Sequence, residues 1–367
     1  MEALSSLMVA GWDVRNKKEK SMSSEMPFSS AETLDQYLLN HNLRLSFDVY
    51  AFEEWQNQLT SNLKECLGPF PEKPVPLNSR VISTEKFEKF TLHRVIYDSR
   101  SDSPVPAYLL IPHGIREKSP AVLCIHGHVP EGKANLVFGD GQYGVPYGRE
   151  LAEQGLVTLC PDNAGMGERA HPSGGCDFLW RRLNLLGHDL TGYRVYDLIR
   201  SVDYLQSLSE VDETRIGIAG LSGGCWLGIV HAALDPRVQA AILSGYFTTF
   251  AQTSWFGHCI CHHPKGIGEL CEMPDIAGLI APRPIFVEWG NQDTSRPVHP
   301  AFEITQKIYS VANAEDQITL HEFEGGHVFF RSAITSLVNP RIIRLKWYVI
   351  CDSNLQNKNW KAILLKG

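Results

Sequence analysis

Apolar and polar positions follow two different periods along the chain, and each period predicts its own kind of element. From Ala31 to Leu67 apolar residues recur three and four apart, at Leu34, Tyr37, Leu38 and then Phe52, Trp55, Leu59 and Leu63, which predicts packing helices. The stretch Gly68 to Pro76 carries four prolines and ends that pattern as a linker, so residues 31–79 are expected to be a helical extension with a Pro-rich connection. Ahead of it, residues 1–30 are rich in Ser, Lys and Met without periodicity and are expected to form a loose arm.

Beyond the linker, short β-rich runs alternate with helical ones. Phe87 to Tyr97 and Val105 to Ile111 predict an opening antiparallel pair, joined across a turn-forming stretch of Ser, Arg, Asp and Pro. The runs Ala121 to Ile125, Leu156 to Cys160, Arg215 to Ala219, Gln239 to Leu243, Pro284 to Trp289 and Ile318 to Phe323 predict six further strands. Between them lie helical segments such as Tyr193 to Leu208, with Val195, Leu198, Val202 and Leu205 on one face. This alternation implies an α/β domain over residues 80–340, with a mostly parallel sheet of about eight strands covered by helices on both faces. Residues 341–367 are expected to be a closing helix and tail.

Composition narrows the class. The chain of 367 residues carries a net charge of −7, and its basic residues are interspersed with acids, so no nucleic-acid footprint emerges. No run is long and apolar enough for a membrane span, and a soluble cytoplasmic protein is expected. Nine cysteines without a signal peptide favour reduced thiols, with Cys124 and Cys160 as core filler. A small-molecule substrate suits this surface; a homo-oligomeric state is left open.

In a parallel sheet covered on both faces, chemistry gathers at the carboxyl ends of the strands. After Arg215 to Ala219 comes Gly220-Leu221-Ser222-Gly223-Gly224, then a helical run. A serine in a sharp strand-to-helix turn needs neighbours without side chains two residues before and after it, and Gly220 and Gly224 supply them. The pattern arises by chance only about 0.1 times in a chain of this length, and its placement makes coincidence rarer still. Ser222 is therefore the candidate nucleophile.

A serine hydroxyl needs a histidine base and an orienting carboxylate. Asp293 follows the run ending at Trp289, and His327 follows the run ending at Phe323, in the order Ser, Asp, His. Of fourteen histidines, His321 falls inside a predicted strand and His299 opens a helix, which leaves His327 as the base. Glu288, expected mid-strand, and Glu324, expected at the rim, are rival acids. The amides of Gly223 and His128 are the candidate oxyanion donors, with Gly127 allowing close approach.

These four elements, His126-Gly127-His128, the Ser222 pentapeptide, Asp293 and His327, resemble the α/β-hydrolase superfamily. The run Pro161 to Arg169, the stretch Ile276 to Pro284 and the two-strand opening resemble its dienelactone hydrolase-like and acetyl xylan esterase-like branch. The resemblance covers roughly residues 80–340 and implies the α/β-hydrolase fold, ester cleavage through an acyl-enzyme, and no cofactor. Dienelactone hydrolases proper place cysteine where Ser222 stands, so that activity is not carried over. Alternative readings are a prolyl oligopeptidase-like amide or peptide hydrolase, a non-catalytic ligand-binding protein on the same fold, and a zinc-dependent hydrolase.

Residues 247–274 are expected to be a lid-like insertion, and they contain His258-Cys259-Ile260-Cys261-His262-His263 and Cys271. Cysteine and histidine are zinc ligands, but one CxC with a single distant cysteine lacks the paired spacing of zinc modules, so no metal is expected. Tyr246, Phe247, Trp255 and Phe256 suit an apolar wall. His126, Arg169, Tyr246 and Trp255 are the candidate substrate-binding residues, although a structural role is expected for His126 and an internal salt link for Arg169.

Overall fold

The computed structural model of the chain describes residues 30, 33, 34, 37, 41–47, 52–141, 143–254, 258–294 and 296–331. The expected arm, apart from residue 30, and the expected tail over 341–367 lie outside them. Residues 1–42 and 43–367 form two units. In the first, residues 30, 33, 34 and 37 are helical, and the Tyr37 ring stacks on His41 at 5.5 Å.

The second unit is built on a sheet of nine strands: β1 (Arg80–Lys86), β2 (Phe90–Arg100), β3 (Ser103–Pro112), β4 (Ser119–Ile125), β5 (Val157–Pro161), β6 (Val211–Leu221), β7 (Val238–Ser244), β8 (Ile285–Gly290) and β9 (Ile318–Phe323). Their spatial order is β1-β2-β3-β5-β4-β6-β7-β8-β9. The first three pair antiparallel, β3 pairs antiparallel with β5, and β5 through β9 run parallel. All eight expected strands are present. The ninth, β1, is exposed at every position. It has no buried face, so no alternation marks it in the sequence.

Strands β4 and β5 are buried along their whole length. On β4, Ala121, Leu123 and Ile125 pack into one apolar cluster while Val122 and Cys124 pack into another on the opposite face. Period-two side-chain geometry thus splits one strand between two cores. Helices cover both: α1 (Phe52–Cys66), α4 (Leu190–Gln206) and α5 (Gly223–Leu234) on the larger side, α2 (Tyr147–Glu153) on the smaller. The buried stripe of α1 is Trp55, Leu59 and Leu63, as its spacing predicts, and each side chain contributes about 1.5–3 kcal/mol of burial. Between α2 and α4 runs α3 (Cys176–Leu185). Helix α4 begins at Asp189, whose carboxylate accepts from the amides of Thr191 and Gly192. Among the described residues no helix is long and apolar enough to cross a membrane.

The two motifs beside the strands brace the fold. After helix α6 (Met273–Gly278), the Arg283 guanidinium donates to the carbonyls of Ala232, Asp235 and Val238, satisfying the C-terminal end of α5. Helix α7 (His299–Val311) returns the Tyr309 hydroxyl to the Arg283 carbonyl at 2.7 Å. In the other motif, buried Asp162 takes the amides of Lys133 and Glu168 and the Lys133 ammonium, fastening the loop after β4 to the loop after β5.

Asp275 caps α6, accepting from the amides of Glu272 at 2.9 Å and Phe47 at 3.0 Å. Burial pushes its carboxyl up from 3.8 to about 7. Between these values the folded chain keeps a proton that the unfolded chain has released, so this group's contribution to stability falls as pH rises. Denaturant unfolding of the wild type against Asp275→Asn across this window should show the wild type losing ground, by on the order of a few kcal/mol, as pH increases. A difference that stays constant with pH contradicts this role.

Candidate active site

Strand β6 ends at Leu221, and the next residue bends the chain backward before α5 begins. Ser222 adopts φ +59° and ψ −120°, a conformation a residue with a side chain holds only when its surroundings enforce it. Its amide is fixed by the Ser244 carbonyl at 2.9 Å, and its carbonyl accepts the Trp226 amide. The glycines around it are pressed against backbone: a Cβ on Gly224 would lie 1.9 Å from the Ile125 carbonyl oxygen, and one on Gly220 would lie 2.2 Å from that of Gly224. Gly127 approaches from the β4 loop, where a Cβ would stand 3.2 Å from the Ser222 Cβ. No side chain caps α5, so its first amides and positive dipole end open beside Ser222.

The acid and base candidates meet. His327 Nδ1 and Asp293 Oδ2 are 2.6 Å apart, with the carboxylate almost wholly buried. The loops that carry them are zipped together by backbone: the Asn291 and Gln292 amides donate to the Phe323 and Gly325 carbonyls, and Gly290 lies against Gly326. The Arg296 guanidinium holds the other Asp293 oxygen at 2.8 Å, a partner the sequence reading missed. The His327 ring packs against Gly245, where a Cβ would meet its Cε1 at 3.0 Å and the Leu221 side chain at 3.0 Å. Among the described residues no hydrogen bond joins His327 to Ser222. Glu288 is buried and takes the Ser244 hydroxyl and the Phe330 amide, while Glu324 is exposed. Phe329 bridges to Gly144 and stacks on Tyr147 at 4.1 Å, fixing the segment just after His327.

Two of the expected substrate-binding residues are committed elsewhere. His126 is buried: its Nδ1 donates to the Gly127 carbonyl at 2.7 Å, and its Nε2 accepts the Asn163 amide at 3.0 Å. That pattern defines a neutral ring, and burial lowers its pKa to about 4. These bonds tie the loop down, and the ring also lines the small pocket that reaches Gly223. The Arg169 guanidinium is held by Asp197 at 2.7 Å and by the Asp162 carbonyl, the internal salt link expected for it. Tyr246 is buried with its ring 4.5 Å from that of His262, and Trp255 lies outside the described residues.

His128 and Gly223 converge, lining one small pocket together with Trp226 and His262. A Cβ on Gly223 would lie 2.7 Å from His128 Nδ1 and 3.3 Å from His262 Nε2. Behind that wall the His128 imidazole faces Cys176, Cys259 and Cys261, a grouping absent from the sequence reading because its members come from three separate segments. Burial alone would lower His128, but Cys176 and Cys259 outweigh it and push the ring up to about 9. Cys271, which the sequence reading grouped with this segment, is instead buried in the main apolar core.

A family model described as "Abhydrolase family" matches residues 31–327. The chain is 25% identical over 296 residues to "Putative hydrolase YtaP" of Bacillus subtilis, covering 78% of this chain and 97% of that protein. Its fold is similar to that of a "putative acetyl xylan esterase" of Bacteroides fragilis, at TM-score 0.71 and 19% identity over 93% of this chain and 95% of the other. It is also similar to a glucuronoyl esterase of Solibacter usitatus, at TM-score 0.62 and 15% identity over 77% and 91%.

The steric account of the turn is testable in isolation. Gly224→Ala forces a methyl group into the Ile125 carbonyl and should cost more than about 4 kcal/mol or prevent folding. Gly268→Ala, where nothing lies within 4 Å of the added carbon, should leave the thermal midpoint nearly unchanged. Equal midpoints for the two variants would show that the turn is not backbone-packed.

Proposed function

Because the chain belongs to the Abhydrolase family, we propose that it hydrolyses carboxylic esters through an acyl-enzyme formed on Ser222. The observation that carries this reading is the 2.6 Å contact between His327 Nδ1 and Asp293, set across Gly245 from the strained Ser222 turn. With Nδ1 bound to the carboxylate, His327 keeps Nε2 for the serine hydroxyl.

In this mechanism Nε2 takes the proton as Ser222 Oγ attacks the ester carbonyl. The amides of Gly223 and His128 stabilise the oxyanion, aided by the α5 dipole. The imidazolium then protonates the departing alcohol. Water, deprotonated by the same nitrogen, attacks the acyl-serine and restores the hydroxyl. Asp293 steadies the imidazolium in both halves, and Arg296 holds that carboxylate in place. From the segment after β7, the His262 ring reaches the wall beside Gly223, where a Cβ would stand 3.3 Å from its Nε2. The named activities of the two structural neighbours, on acetylated xylan and on glucuronoyl esters, favour a carbohydrate-linked ester as the substrate class.

Hydrolysis of nitrophenyl acetate and of acetylated and methyl-esterified sugars, measured beside fluorophosphonate labelling, tests this reading. Ser222→Ala should abolish labelling, and Ser222→Ala and Asp293→Asn should each lower kcat by about 10⁴-fold or more with little change in KM. Labelling that persists in Ser222→Ala would remove Ser222 as the nucleophile.

A further inference from the structure

We propose that His128, Cys176, Cys259 and Cys261 form a structural zinc site that clamps the segment after β7 to the loop after β4. Cys176 is the first residue of α3, Cys259 and Cys261 flank the start of the turn Ile260–His262, and His128 follows β4. One ligand atom from each lies within 4.8 Å of every other. His128 Nε2 is 3.0 Å from Cys261 Sγ and 3.4 Å from Cys176 Sγ, and the Cys259 and Cys261 sulfurs are 3.2 Å apart. A tetrahedral zinc, with bonds of about 2.3 Å to sulfur and about 2.0 Å to nitrogen, spaces its donors about 3.5–3.8 Å apart, so the cluster needs only small shifts to take the ion. All three cysteines are free thiols rather than disulfide partners.

Charge supplies an independent argument. Arg194 is buried, and its hydrogen bonds go to the Ala164 carbonyl, from Nε at 3.0 Å and a terminal nitrogen at 2.7 Å, and to Cys176 Sγ at 3.2 Å. Among the described residues no carboxylate lies within ion-pair distance of it, Asp189 acting on it only from farther away, and a buried guanidinium is favoured by an anion in direct contact. Three thiolates and one imidazole around Zn²⁺ carry one net negative charge, which Arg194 neutralises. On binding, the three thiols release their protons to solvent and no electrons are exchanged.

Four protein donors close the coordination shell and leave no position for water, which marks the site as structural rather than as a source of hydroxide. Outer contacts hold the ligands in place: the Thr191 hydroxyl donates to the Cys261 carbonyl at 2.6 Å, and Trp226 Nε1 donates to the Thr191 oxygen at 3.2 Å. Since the His128 ring also abuts Gly223, the ion fixes the wall beside Ser222 and the turn bearing His262 in one step.

The test is metal content by mass spectrometry on the intact chain, purified reduced from zinc-supplied cells, with cobalt replacement as a spectroscopic probe. About one zinc per chain is expected, and the cobalt form should show the intense tetrahedral bands and thiolate charge-transfer absorption of a three-sulfur site. Cys176→Ser with Cys259→Ser should lose the metal, whereas Cys66→Ser should keep it. The wild-type cobalt spectrum requires no variant and stands even if the double variant misfolds. Absence of both zinc and cobalt binding, a disulfide among Cys176, Cys259 and Cys261 in freshly isolated protein, or full zinc retention by the double variant overturns the site. Fluorophosphonate labelling of Ser222 reports separately on the esterase reading and does not depend on this outcome.

Discussion

The site depends on one steric constraint: three backbone segments meet around Ser222 with no room for side chains. Gly224 sits on the Ile125 carbonyl, Gly220 on Gly224 itself, and Gly127 on the Ser222 Cβ. With those positions empty of carbon, β4, β6 and α5 close onto one another and force the serine to positive φ, standing clear of the helix it caps. A larger residue at any of them would separate the strand end from the helix start, and the helix amides would no longer surround the hydroxyl. The remaining architecture supports this junction. Arg283 secures the far end of α5, buried His126 secures the β4 loop, and the parallel sheet, packed on both faces, holds the strand ends in register.

The candidate acid and base reach the junction through backbone rather than side-chain adaptation. Hydrogen bonds between the loops after β8 and β9 place Asp293 beside His327, and Arg296 and Phe329 lock the two ends of that pair. These contacts are short and internal to the two loops, so backbone hydrogen bonds set the geometry of the pair.

Much of this was legible in the sequence for physical reasons. Buried strands such as β4 appear as continuous apolar runs, and the glycine spacing around Ser222 is a steric requirement that survives as a local pattern. Asp293 and His327 were identifiable because each directly follows a strand. Strand β1 was invisible because every residue on it is exposed. Arg169 and His126 were ambiguous because a loop charge or ring next to a site carries no local sign of whether a buried partner claims it; Asp197 on α4 and Asn163 in the loop after β5, both distant in sequence, decide that. The His128 and cysteine cluster was hidden for the same reason. Its four members become neighbours only when the β4 loop, α3 and the segment after β7 fold together, and the nearby Cys271 points into the core instead.

The central claim is that Ser222 carries the acyl group during turnover. Acid quenching during steady hydrolysis of an acetyl ester, followed by peptide mass spectrometry, measures this directly. The account predicts that the peptide containing Ser222 gains the mass of one acetyl group, and that the adduct accumulates further in His327→Ala pulsed with an activated ester, since deacylation also needs that base. Turnover with no acyl adduct on Ser222, or with the adduct on another residue, would contradict it.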